Sequence, residues 1–203
     1  NFKPNKIYSV CALKPTPNRH DLPAHMTRCM WDSILDAFPP KTHIELNIGC
    51  PNITNMAEIS NFQLERYVKK FNNLTVKVPP TTPTSYIEEL WHMGIKKFHL
   101  SNTLPVHEYT DNGILNYGVS GYPLKKKNLL FIERIKRLDM GGVSLIAGGG
   151  IYTPQDVQDY HNVGATDFSL STIFFTPWKV SNVLDKINSI PSSKWGTSSI
   201  YME

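Results

Sequence analysis

Glu45-Leu46-Asn47-Ile48-Gly49-Cys50-Pro51-Asn52 is the stretch on which the reading of this chain turns. A short apolar run ends at a cysteine that has carboxamides three residues before it and two after. Pro51 has no N–H to give to a ladder, so it helps stop the strand, and Cys50 is expected where a strand opens into a loop. In barrels built from parallel strands, chemistry sits at that edge. A thiol there can accept a proton or act as a nucleophile. The flanking amides can hold a planar polar ligand by its carbonyl and N–H groups.

Outward from this stretch, β-rich runs recur at residues 7–10, 43–47, 74–78, 97–100, 143–147 and 167–170. Helical periodicity lies between most of them. Leu64, Tyr67, Val68 and Phe71 fall at i, i+3, i+4 and i+7, as do Val180, Val183, Leu184 and Ile187. Shorter stripes are Ile34, Leu35 and Phe38; Tyr86, Ile87, Leu90 and Trp91; and Phe131, Ile135 and Leu138. Thr153-Pro154 reads as an N-cap with proline at the first helical position, and Gly164 closes that helix. Repeated β-then-α units imply parallel strands with right-handed crossovers. A closed barrel and an open doubly wound sheet both fit. About six units are present where a full barrel needs eight. No GxGxxG and no GxxxxGK[ST] occurs, which disfavours dinucleotide and P-loop sites and weakens the open sheet. The expected fold is α/β, a (β/α)8 TIM barrel incomplete in this chain, as one domain over residues 1–203. Residues 101–124 read as a long loop and 191–203 as a loose tail.

Composition narrows the function classes. At 203 residues, one domain with a substantial core is expected. A formal charge of +4 is too mild to suggest nucleic acid as a partner. Lys125-Lys126-Lys127, the one basic run, reads as a solvated helix entry. No apolar stretch reaches the length of a membrane span, and no secretory or transit signal is visible at the start. Cys11, Cys29 and Cys50 form no CxxC pair, so neither a disulfide framework nor a zinc site is expected. A reducing, cytoplasmic setting fits better. The histidines show no HxH or HExxH spacing; no metal site is assigned, and His99 and His161 read as ordinary positions. The chain opens on Asn1-Phe2-Lys3 without methionine, as a fragment or processed form would.

Other strand ends carry candidate chemistry. Gly148-Gly149-Gly150 follows one strand and precedes a helix, where close backbone approach and a helix N-terminus suit a phosphate; a plain βα turn reads equally well. Ser171-Thr172 follows the next strand in the same way, and two such ends together make the phosphate site common after the last strands of these barrels. Lys77 interrupts an apolar strand, either as an edge or snorkelling lysine or as a cation at the barrel mouth. Ser101-Asn102-Thr103 could be an Asx or ST turn, or could offer Asn102 to the edge of a ring.

Five segments in order resemble the dihydroorotate dehydrogenase family: residues 47–52, 76–79, 101–103, 118–121, and 147–151 with 171–172 after it. They span residues 43 to about 180. The resemblance implies a flavin-binding barrel that oxidises dihydroorotate to orotate in pyrimidine synthesis, with FMN as cofactor. By that resemblance Cys50 is the base, and Asn47, Asn52, Asn102 and Thr103 surround the pyrimidine. Lys77 contacts the flavin ring and serves catalysis. Gly121, Gly149, Gly150, Ser171 and Thr172 lie on the FMN phosphate side, and Ser120 is a further cofactor contact. Cysteine at position 50 is similar to the soluble class 1-like enzymes, while Gly121-Tyr122-Pro123-Leu124 looks more like the quinone-using class. Tyr117 departs from the usual Gly-Gly pair, and Ser171 from a frequent glycine. The chain looks as if it begins near the third barrel strand, without the family's amino-terminal part. A homodimer is compatible with the resemblance. Two alternatives stand beside it: a flavin barrel resembling tRNA-dihydrouridine synthase, and a non-catalytic barrel acting as a scaffold.

Overall fold

Polar and apolar residues alternate along the strands, and that period of two decides which side faces what. The computed structural model describes residues 6–12, 24–49, 58–111, 113–191 and 200–202. The strands are β1 (Ile7–Val10), β2 (His43–Asn47), β3 (Leu74–Lys77), β4 (Lys97–His99), β5 (Leu104–Thr110), β6 (Gly113–Val119), β7 (Ser144–Gly148), β8 (Asp167–Leu170) and β9 (Ile200–Met202). The helices are α1 (Ala24–Leu35), α2 (Asn61–Lys70), α3 (Thr84–His92), α4 (Lys125–Lys136), α5 (Pro154–Asn162) and α6 (Val180–Ser189). Seven strands pair in parallel in the order β1-β2-β3-β4-β7-β8-β9, and the sheet curls into a partial (β/α) barrel.

The register sorts residues into rows. Val10, Leu46, Val76, Phe98 and Leu145 form one row, and Ala147 pairs with Phe168. These residues belong to the core, packed with Leu64 and Tyr67 of α2, Ile87 and Leu90 of α3, Phe131 and Ile135 of α4, Val157 and Tyr160 of α5, and Val183 and Ile187 of α6. Each fully buried side chain of this size contributes about 1.5–3 kcal/mol. The other face is polar. One row runs Ser9, Glu45, Thr75, Lys97, Ser144, and the next Asn47, Lys77, His99, Ile146, Asp167. These rows line the inside of the curl, and the strand ends above them form its mouth.

Three expectations are corrected. Residues 104–119 are not a bare loop: β5 and β6 pair antiparallel over seven positions, from Leu104↔Val119 to Thr110↔Gly113. The pairing satisfies backbone groups that a loop would leave to water. Within the stretch expected as a loose tail, Ile200–Met202 extends the sheet along β8, which has backbone groups open on that edge. Lys125 is not a solvated lysine. Its Nζ lies 2.5 Å from Asp156 Oδ1 and 2.7 Å from Asp159 Oδ2, joining the start of α4 to α5. Among the described residues, no helix is long and apolar enough to cross a membrane.

Asp156 is the hub of that joint. Its Oδ2 accepts from the Tyr152 and Thr153 N–H groups and the Thr153 hydroxyl, which completes a capping box with Thr153 as N-cap. Burial pushes the carboxyl up, but Lys125 and these hydrogen bonds outweigh it and hold it below the usual carboxylate range. A carboxyl lowered on folding adds stability above its unfolded pKa of about 3.9 and loses it as pH falls through the folded value. Asp156→Asn should cost about 1–3 kcal/mol at neutral pH and flatten the acid limb of Tm against pH. An equally steep limb in the variant would remove Asp156 from this role.

Candidate active site

The mouth of the barrel collects the ends of β2, β3, β4, β7 and β8. Lys77, Asn102, Thr103, Gly121, Gly149 and Ser171 line one small cleft of about 70 Å³, with Ser101, Ser120, Leu124 and Ser169 completing its wall. Lys77, Asn102 and Ser101 are buried despite their polarity. Eight of the expected site residues are thus brought to one region: six of the wall just named, with Ser120, and Asn47 through a direct bond. Cys50 and Asn52 lie outside the described residues.

Asn102 ties two strand ends together. Its Nδ2 donates to Asn47 Oδ1 at 2.9 Å and to the Gly49 carbonyl at 3.0 Å, while its Oδ1 accepts from the Thr103 N–H at 3.0 Å. The two asparagines are therefore one ordered pair, which a ligand would meet without the entropy cost of arranging them. Thr103 Oγ1 is buried and has no hydrogen-bond partner among the described residues. An unsatisfied buried hydroxyl costs about 1–3 kcal/mol, a cost that a polar ligand beside it would remove.

On the opposite wall, the turn after β7 is packed so closely that only glycine fits it. Gly149 and Gly150 have φ of +81° and +74°. A Cβ on Gly149 would stand 2.8 Å from Asn128 Nδ2, and one on Gly150 would stand 3.0 Å from Tyr122 Cα and 3.0 Å from Lys125 Cβ. The Tyr160 hydroxyl donates to the carbonyls of Gly148 at 3.1 Å and Gly149 at 2.7 Å, and Asn128 Nδ2 also donates to Gly148 O at 2.8 Å. Those carbonyls face the helix layer. In a trans peptide the next N–H points the opposite way, so the N–H groups of Gly149 and Gly150 turn away from Tyr160. Burial drives the Tyr160 phenol far above its ordinary value, so it stays a donor. Gly121, at φ +80°, closes the cradle; a Cβ there would lie 3.5 Å from Thr172 Oγ1 and 3.1 Å from the Tyr152 hydroxyl. Thr172 thus joins the same corner as Gly121.

Beneath the cleft lies a group that the sequence reading passed over. Glu45 and His99 are both buried, and Glu45 Oε2 is 2.8 Å from His99 Nδ1. Ser9 Oγ donates to Glu45 Oε1 at 2.8 Å. Burial alone would raise the Glu45 carboxyl, but the hydrogen bond and charge of His99, the charge of Lys77 and the Ser9 hydroxyl hold it below the ordinary range. The available signal was parity. Glu45 and Asn47, and Lys97, His99 and Ser101, are polar at every second position of buried strands. Asn128 and Tyr160 were also missed; they act from the helices, where nothing local marks them.

Comparison with known proteins places these observations in context. The family model for dihydroorotate dehydrogenase matches residues 33–190, well over half of the chain. A dihydroorotate dehydrogenase (quinone) from Pseudarthrobacter chlorophenolicus is 49% identical over 49 residues, 24% of this chain and 14% of that relative. Two structures of a dihydroorotate dehydrogenase from Eimeria tenella share the fold. The complex with ferulenol superposes with a TM-score of 0.56 at 18% identity, covering 72% of this chain and 49% of that one. The ligand-free form gives 0.57 at 19%, covering 73% and 51%. The chain spans about half the length of those structures.

Proposed function

The chain belongs to the dihydroorotate dehydrogenase family, and from that premise we propose that it oxidises dihydroorotate to orotate with FMN as cofactor, in pyrimidine synthesis. The observation that carries the reading is one cleft uniting Lys77, the Asn47–Asn102 pair, Thr103 and the glycine cradle. The residues fit the flavin. Gly149 and Gly150 hold a turn at positive φ that any Cβ would break against Asn128, Tyr122 and Lys125, and Thr103 Oγ1 is a buried hydroxyl lacking a partner among the described residues. Gly121, Gly149, Gly150, Ser120, Ser171 and Thr172 would hold the phosphate side. Lys77 would stand against the ring.

FMN, when bound, supplies the hydride acceptor of the reaction. The chain supplies the rest. Asn47, Asn52, Asn102 and Thr103 would orient the pyrimidine by its carbonyl and N–H edges. Cys50 Sγ would take the proton from C5, next to a carbonyl that acidifies it. A thiol with an ordinary pKa near 8.5 is mostly protonated at neutral pH. Positive potential at the mouth, with Lys77 as its source, would favour the thiolate. Cysteine as the base supports the class 1-like reading, although the curated relative named above uses quinone. A cytoplasmic setting and a homodimer belong to the same proposal.

The test is anaerobic mixing of FMN-loaded protein with dihydroorotate, followed at the flavin absorbance. Bleaching with formation of orotate is the expected result. Flavin that binds and is not reduced would sink the proposed substrate; protein that retains no flavin would sink the cofactor.

A further inference from the structure

Glu45 and His99 sit on strands that are not neighbours. β3 runs between β2 and β4, so the two backbones are separated by roughly 9–10 Å, two strand spacings. Their side chains nevertheless meet at 2.8 Å. They can do so only by reaching over β3 on the concave side of the curl. The residue of β3 in register with His99 is Lys77, whose other partner is Asn47. The Glu45–His99 bridge therefore crosses β3 diagonally, from the level of Thr75 to that of the lysine that lines the cleft. Ser9 of β1 fixes the carboxylate from its far side. Glu45 shares the concave face with Ser9 from β1, Thr75 and Lys77 from β3, and Lys97 and His99 from β4. Burying a carboxylate this deeply is costly unless charge and hydrogen bonds answer it. A plain barrel interior could use apolar residues here, as Ile146 does in the row of Lys77 and His99. The cost suggests that the charge is used.

We propose that the Glu45–His99 bridge is a positioning device for Lys77: the carboxylate draws the ammonium down, His99 takes part of that negative charge, and their balance sets how much positive field reaches a flavin in the cleft. The inference rests on the flavin reading above. Glu45 and His99 touch neither flavin nor substrate and act through Lys77.

The balance predicts opposite signs for two single variants. In Glu45→Gln the hydrogen-bonding outline remains but the charge is gone, so Lys77 is released toward the flavin and reduction becomes easier. The reduction equilibrium should shift by about tenfold, or about 30 mV upward for a two-electron couple. In His99→Phe the carboxylate loses its competing donor, holds Lys77 more firmly, and the potential should fall. General damage to the barrel would move both variants the same way. In a Lys77→Met background, the effect of Glu45→Gln should shrink by at least half; an undiminished effect would mean that Glu45 acts on the flavin directly and would overturn the proposal. So would equal potentials in the parent and both single variants.

A flavin-free measurement separates this inference from the function it rests on. Carboxyl-carbon NMR of the flavin-free protein reads the titration of Glu45, and Lys77→Met should raise its midpoint. An unmoved midpoint would end the proposed coupling whether or not FMN binds. A raised midpoint in protein that retains no FMN would keep the Glu45–Lys77 coupling and overturn only the flavin function.

Discussion

Cys50→Ala should slow flavin reduction by dihydroorotate by about 10²–10⁴-fold, the usual contribution of a placed general base. Orotate should still bind, because the proposed site gives the planar ring to carboxamides and not to the thiol. Asn47 and Asn102 are already joined to each other at 2.9 Å, a bond that does not involve the thiol. Cys50→Ser should keep part of the activity with its optimum moved to higher pH, because a hydroxyl is a weaker acid than a thiol and its base form appears later. Stopped-flow bleaching across a pH series distinguishes these cases. Reduction of Cys50→Ala at the parental rate would show that the proton leaves C5 by another route, and the class 1-like reading would go with it.

Gly149→Val should abolish flavin retention, raising the FMN dissociation constant by at least about a hundredfold, roughly 3 kcal/mol. Two effects combine. The φ of +81° is one that L residues rarely adopt, and the new Cβ would meet Asn128 Nδ2 at 2.8 Å and Leu124 at 3.3 Å. Asn128 cannot easily retreat, since it is buried and holds the Gly148 carbonyl. The turn must open, and the N–H groups of Gly149 and Gly150 lose their common direction. The helical circular dichroism should survive, because α4 and α5 are anchored by Phe131, Ile135, Val157 and Tyr160 in the core. Tyr160→Phe offers a milder version, with the backbone angle untouched but the carbonyls released. Parental affinity in Gly149→Val would place the phosphate away from this turn.

The main strands and helices were legible because each carries a period. Val76 and Lys77, or Phe98 and His99, show the two faces of a strand within two letters. The hairpin was not legible for the same reason turned around. Both its faces are largely open, with Tyr109, Ile114 and Leu115 exposed, so no apolar rhythm marks it, and its glycines and asparagines imitate a loop. The ordered strand-end motifs located the cleft, since residues at the same end of parallel strands are neighbours whatever their separation in sequence. Pairings across the interior were beyond reach. Glu45 and His99 are 54 positions apart, and only the register makes them partners. Lys125, Lys126 and Lys127 are chemically equal in the sequence; the turn of α4 selects the first to meet Asp156 and leaves the other two exposed.

The strict alternation of β3 has a bearing on how such a chain can vary. Because Val76 and Lys77 occupy opposite faces, core and chemistry are written in one reading frame of two. Adding or deleting one residue inside β3 would turn a cation into the helix layer and a valine into the mouth, so a single slip would injure packing and reactivity together. The β5–β6 hairpin is under no such constraint, since its strands pair with each other and, among the described residues, with no strand of the barrel. Insertions and deletions between related chains should therefore accumulate in the hairpin and be purged from the strands. For anyone reshaping this protein, the hairpin is the place to change length, and the strands admit only substitutions that preserve parity.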